Sequence, residues 1–124
     1  MCLHESMEGE DGKFYEMTGF IEGEAVRRNR LVRFGYIEIE GASDGVYLSR
    51  GERLRGHEFH YWDSECCGES FCARKPVGKR SWNCVHGDKT LYAGFAHLFF
   101  YSNLKVPCAF LESCRAYGGR ICSL

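Results

Sequence analysis

Ile37 and Ile39 alternate with Tyr36, Glu38 and Glu40 inside the segment Phe34–Glu40, and this period of two constrains the fold more than any other feature. Side chains on a strand point alternately to opposite faces, so the segment forms a strand with an apolar face and a polar one. Such a strand has to lie in a sheet that covers a core. Gly41–Gly51 holds three glycines, an aspartate and two serines, which predicts a loop. Beyond it, Leu54–Trp62 is a second strand, with His57, Phe59 and Tyr61 on one face and Glu58, His60 and Trp62 on the other.

The rest of the chain keeps this strand-rich character. Phe14–Ile21, aromatic and β-branched, predicts a short strand, and another covers Ser70–Lys75 before Pro76 and Gly78. Leu91–Ala96 reads as a buried strand running into His97, with His86-Gly87-Asp88 as a turn before it. Met1–Met7 is expected to be the tail of a helix. One clear helix is predicted, over Pro107–Tyr117, with Val106, Phe110, Cys114 and Tyr117 as an apolar stripe packed on the core and Gly118-Gly119 as its end. Several strands with one or two helices are out of balance for a free-standing α/β domain, whose parallel strands need helices on both faces. Half a domain accounts for that imbalance.

Length and charge exclude several functions. A chain of 124 residues makes at most one domain. Complete, such a domain buries roughly two thirds of the surface its unfolded chain exposes. Apolar residues are 44% and aromatics 15%, too many for a disordered chain, and a net charge of −1 gives no reason to expect nucleic acid or an anionic membrane. No apolar run approaches the ~20 residues of a membrane span, and the acidic start Met1–Glu10 lacks a signal-peptide layout. A cytoplasmic protein is expected. In that setting the eight cysteines, Cys2, Cys66, Cys67, Cys72, Cys84, Cys108, Cys114 and Cys122, are expected as free thiols, with a disulfide framework as the alternative.

The run Leu54-Arg55-Gly56-His57-Glu58-Phe59-His60-Tyr61, followed later by Ala96-His97-Leu98-Phe99-Phe100, resembles the C-terminal glutamine amidotransferase domain of the cobyrinate a,c-diamide synthases. Gly45, Arg50-Gly51 and Phe34-Gly35-Tyr36 with Glu38 are similar to further landmarks of that family, and Met1-Cys2-Leu3 looks like the end of its nucleophile motif. The resemblance runs from Met1 to about Leu111. It implies an α/β fold: the C-terminal half of a flavodoxin-like class I glutamine amidotransferase domain, strand-rich with a C-terminal helix.

The implied activity is that of an ATP-dependent, glutamine-hydrolysing carbon–nitrogen ligase that amidates the a and c acetate side chains of cobyrinate in cobalamin biosynthesis. His97 matches the catalytic histidine, the base that takes the proton of a cysteine thiol so that a thiolate attacks. That cysteine would lie just before Met1, so the nucleophile elbow and the N-terminal ATP-dependent synthetase domain are expected to be absent and the isolated chain inactive. Residues 1–124 would then be a partial amidotransferase domain with no cofactor of its own, ATP and Mg2+ belonging to the synthetase domain. Arg55, His57, Glu58, His60 and Tyr61 are implied as substrate-binding residues, lining the cleft or the surface that docks on that domain. The implied partners are glutamine, cobyrinate or a related tetrapyrrole, and the synthetase domain or the missing half of the amidotransferase domain. Other amidotransferases orient the histidine with a glutamate two residues later; here that position is Phe99, as expected of this family.

Other readings stay open. The same resemblance extends to the nickel sirohydrochlorin a,c-diamide synthases, and a non-catalytic binding module or subunit derived from the domain is the alternative. A zinc protein is disfavoured, because His57 and His60 face opposite ways and His57-Glu58-Phe59-His60 is one residue short of a His-Glu-x-x-His helix. Arg27, Arg28, Arg30 and Arg33 form a basic patch, either a solvated loop or a contact for acidic groups.

Overall fold

The computed structural model describes residues 1–121. Its larger sheet holds five strands in the order β11 (His97–Phe99), β5 (Arg53–His60), β4 (Arg33–Gly41), β7 (Phe71–Arg74), β8 (Ser81–Cys84). A second sheet has the order β2 (Phe14–Glu16), β1 (His4–Glu8), β3 (Ile21–Arg27), β6 (Trp62–Asp63), and β9 (His86–Gly87) pairs with β10 (Tyr92–Ala93). After β11 a single 3-10 turn, Phe100–Ser102, leads into the helix α1 (Lys105–Ile121). The chain passes from the large sheet to the second one at Tyr61, between β5 and β6.

Both strands with clear alternation form as the pattern requires. On β4, Ile37 and Ile39 are buried while Phe34 and Tyr36 are exposed. On β5 the buried positions are Leu54, Gly56, Glu58 and His60, and Arg55 and Phe59 face out. The inner face of the sheet supplies Ile37, Ile39, Leu54, Phe71, Ala73 and Cys84 to the core, joined by Tyr47, Leu48, Val85 and Val106. Tyr47 and Leu48 come from the Gly41–Gly51 loop, which therefore closes the core as well as linking β4 to β5. Each such aliphatic side chain contributes roughly 1.5–3 kcal/mol through burial.

Several expectations need correction. Met1–Met7 is not the end of a helix: its polar residues pair as β1, antiparallel to β2 and parallel to β3. Phe14–Ile21 breaks into β2 and the start of β3, because Gly19 takes φ 66, outside the strand region. Leu91–Ala96 is half-buried, and β10 and β11 separate around Gly94, where a side chain would meet Val85 at 2.8 Å. The helix runs through Gly118 and Gly119, which keep negative φ and form no left-handed cap. Of its stripe only Val106 reaches the core; Phe110, Cys114 and Tyr117 are exposed, since α1 meets the core through Val106 and Ala109.

The five-stranded sheet is antiparallel at every pairing, unlike the parallel, helix-covered sheet of a flavodoxin-like domain. Residues 42–52 and 75–80 are hairpin links, too short to hold the crossover helix that parallel neighbours need. The strand-rich character and the single C-terminal helix stand as expected among the described residues. Seven cysteines are free thiols, and Cys122 lies outside the described residues. No helix among them is long and apolar enough to cross a membrane.

Candidate active site

Register across β4, β5 and β11 assembles the outer face of the sheet row by row. Tyr36 pairs with His57, and His57 pairs with His97, so three side chains stand in line on one face. On one side of this row lie Phe34 and Phe59, also cross-strand partners, with rings 5.8 Å apart. On the other side Arg74, Glu38, Arg55 and Phe99 follow one another across four strands. His57 is held by two edge-on aromatic contacts, with Phe34 and Tyr36, each at 5.7 Å. Cross-strand neighbours have Cβ atoms about 4.5–5.5 Å apart, so His57 and His97 are adjacent.

These residues line an open cleft of about 770 Å³, bounded by Tyr36, Glu38, Arg55, His57, His97 and Phe99 over a floor of Ile37 and Gly56. Arg53, Arg55 and Arg74 stand against Glu38 and Glu40 on this face, so the guanidiniums exceed the carboxylates by one. Arg74 donates to Glu38 Oε2 from Nε at 2.9 Å and Nη2 at 2.7 Å, and that guanidinium holds the Glu38 carboxyl below its ordinary range.

Gly56 brings β11 close enough to complete the row. A Cβ there would lie 2.8 Å from the His97 carbonyl oxygen and 3.2 Å from Ile39 Cδ1. The far end of β11 is latched by its following turn: the Arg55 amide donates to Ser102 Oγ at 2.8 Å, and Asn103 Nδ2 donates to the Arg53 carbonyl at 3.0 Å. Three residues of strand carry His97, held between a glycine and a hydroxyl latch.

Arg55, His57 and His97 therefore meet in the cleft, while Glu58 and His60 do not. The period of two sends those two to the inner face, where Glu58 is 1% and His60 8% exposed. Glu58 Oε2 lies 3.9 Å from Arg33 Nε and 3.7 Å from His60 Nε2, and Trp82 Nε1 donates to Glu58 Oε1 at 3.4 Å. His60 Nδ1 donates to the Trp62 carbonyl at 2.6 Å, and its ring stacks on Phe95 at 4.2 Å. Tyr61 is exposed at the junction of the two sheets, its ring 6.1 Å from Phe59.

None of the seven described cysteines lines the cleft. Burial pushes the Cys84 thiol up to about 12 and raises that of Cys67, which disfavours the nucleophilic thiolate at both. No group of three or more His, Cys, Asp or Glu among the described residues is arranged to hold a metal ion.

Phe34 and Tyr36 line or flank the site without having been singled out as site residues. Their signal was present, since alternation with Ile37 and Ile39 puts both on the outer face. Arg33, singled out only as part of a basic patch, is the member of it that meets buried Glu58, whereas Arg74 and Trp82 carried no local signal, because their partners Glu38 and Glu58 lie 36 and 24 residues away.

No family model and no solved structure matches the chain. Among curated proteins it is 33% identical over 120 residues to the cobyrinate a,c-diamide synthase of Caldanaerobacter subterraneus subsp. tengcongensis, covering 95% of this chain and 26% of that protein. To the protein of that name from Fusobacterium nucleatum it is 38% identical over 109 residues, 85% of this chain and 23% of the relative. To the one from Priestia megaterium it is 31% identical over 118 residues, 94% and 25% respectively. The chain thus spans about a quarter of the length of these relatives, matching their C-terminal part. By this similarity the chain belongs to the cobyrinate a,c-diamide synthase family.

Proposed function

We propose that this segment carries the histidine of a glutaminase site, within an enzyme that uses glutamine-derived ammonia and ATP to amidate the a and c acetate groups of cobyrinate. His97 is the general base. It takes the proton of a cysteine thiol supplied from outside the segment, the thiolate attacks the glutamine carboxamide carbon, and the proton leaves with ammonia. Arg55 and His57 hold the substrate at the cleft, and Glu58 and His60 fix the strand from behind. Tyr61 extends the surface toward the partner domain. ATP and Mg2+ are bound by the synthetase domain, and the segment is the C-terminal part of a class I-like glutamine amidotransferase domain.

The observation that carries this reading is the register of His97 with His57 over one cleft, inside a stretch similar to enzymes of that name. The test is glutamate release by the protein containing both this segment and the cysteine-bearing part found in its family. His97→Ala is expected to lower kcat at least a hundredfold, the size of a general-base contribution, with an unchanged thermal midpoint. Turnover within fivefold of the parent would overturn the assignment.

A second reading, a non-catalytic binding module built on the same face, rests on the exposed aromatic side chains Phe34, Tyr36, Phe59 and Phe99 around the two histidines. Under it, His97→Ala weakens association with the partner domain and leaves glutamate release unchanged. Which ring is amidated, cobyrinate or nickel sirohydrochlorin, is read by supplying each to the complete enzyme.

A further inference from the structure

Away from the His97 cleft, the loop between β3 and β4 and the turn before β8 form a second open cleft of about 720 Å³. Arg28, Arg30 and Arg80 rim it, Leu31 and Val32 give it an apolar wall, and Asp63 is its one acidic residue. It shares no lining residue with the first cleft. Three guanidiniums from two separate segments converge there, on a chain whose net charge is −1.

The compensation available is small. Arg28 Nε reaches Asp63 Oδ2 at 3.8 Å, a long contact, and Arg30 and Arg80 have no carboxylate partner among the described residues. Gathering like charges without counter-charges works against folding, whereas a bound anion would offset the repulsion.

The cleft is also ordered from beneath. The Arg80 guanidinium lies over the Trp82 ring at 5.6 Å, and Arg33, paired with buried Glu58, lies over the same ring at 4.9 Å. At the two ends of the loop, the Arg28 amide donates to the Tyr61 carbonyl at 2.8 Å and the Val32 amide to the His60 carbonyl at 3.0 Å. The pinned loop ends fix where Arg28 and Arg30 leave the backbone, and the indole positions Arg80. The planar guanidinium fork matches the paired oxygens of carboxylates and phosphates.

We propose that the Arg28–Arg30–Arg80 cleft is a binding site for a small organic oxyanion bearing at least two carboxylate or phosphate groups. Its apolar wall accommodates the carbon skeleton of such a ligand. The site is independent of the glutaminase reading and survives that reading's failure.

The indole Nε1 resonances of Trp82 and Trp62 report binding, one beneath Arg80 and one on the neighbouring strand next to Asp63, where it donates to the Glu8 carbonyl. The 124-residue protein is titrated with citrate and, separately, with pyrophosphate, against potassium chloride at equal ionic strength. A saturable shift of Trp82 is expected with one or both, and Arg30→Gln and Arg80→Gln are each expected to weaken it at least fivefold. Arg53→Gln, on the opposite face of the sheet, leaves binding unchanged. Response to citrate alone assigns carboxylates and to pyrophosphate alone assigns phosphates. A shift reproduced by chloride, or affinity unchanged in both arginine variants, overturns the proposal.

Discussion

Two ion pairs of similar appearance have very different expected consequences, and burial decides between them. Arg53 Nε and Glu40 Oε2 are 2.9 Å apart but lie on the outer face, with side chains 58% and 37% exposed. Arg53→Ala should change stability by less than about 0.5 kcal/mol, since water screens such pairs. Glu58 is 1% exposed, and its partner Arg33 is 14% exposed at 3.9 Å. Glu58→Ala leaves that guanidinium without its carboxylate and Trp82 Nε1 without its acceptor, and urea unfolding should show a loss on the order of 3 kcal/mol. The longer of the two contacts is the one that matters. A different residue contributes to the response to mild acid. His4 is 3% exposed, and burial lowers its pKa from the ordinary 6.5, outweighing the hydrogen bond from Nδ1 to the Met1 carbonyl. The unfolded chain then binds a proton more readily than the folded one. The stability due to neutral His4 is therefore present above about pH 6.5 and is lost as pH falls from there toward the lower folded value. Unfolding midpoints measured from pH 7.5 to 5 should decline, and His4→Gln should flatten that slope.

At the scale of elements, β11 is a strand whose sequence could not have placed it. His97–Phe99 is three residues long, too short for periodicity to speak, and it pairs with β5 because Gly56 leaves room for its backbone. Gly56→Ala would put a methyl group 2.8 Å from the His97 carbonyl, so β11 should be pushed from the sheet. Hydrogen exchange at the β11 amides should quicken, with an overall cost of about 1–3 kcal/mol. The helix gives the opposite lesson. Gly118-Gly119 looks like a terminator, but glycine ends a helix only where the chain turns left-handed, and here it does not. A Cβ at Gly118 meets nothing within 4 Å, so Gly118→Ala should raise far-ultraviolet helicity and stabilise the last turns by up to about 1 kcal/mol. The stripe Val106, Phe110, Cys114 and Tyr117 was legible as helical in period, yet period does not tell which stretch of the stripe meets a core. Val106 does; Lys105 anchors the same turn through both oxygens of Glu52, at 2.8 and 2.9 Å.

For the molecule as a whole, the outer face of the large sheet is the dominant surface feature. Phe34, Tyr36, Phe59 and Phe99 are between 50% and 78% exposed and cluster around the two histidines. Aromatic patches of this kind promote association. The isolated chain is expected to self-associate as its concentration rises, and Phe34→Ser with Phe59→Ser should shift its sedimentation toward the monomer. Sedimentation of the double variant indistinguishable from the parent would show that another surface drives association. The sequence by itself determined the alternating strands β4 and β5, the apolar face each turns inward, and the family to which the short His-Glu-Phe-His run points. It did so because side-chain period is a local property of the backbone. Only the tertiary structure decided that His57 faces His97 while Glu58 and His60 turn away, that Arg33 and Trp82 close over them, and that three arginines converge on a second cleft. Those outcomes depend on strand register and on close approach between distant segments, and neither is encoded in the spacing of residues along one strand.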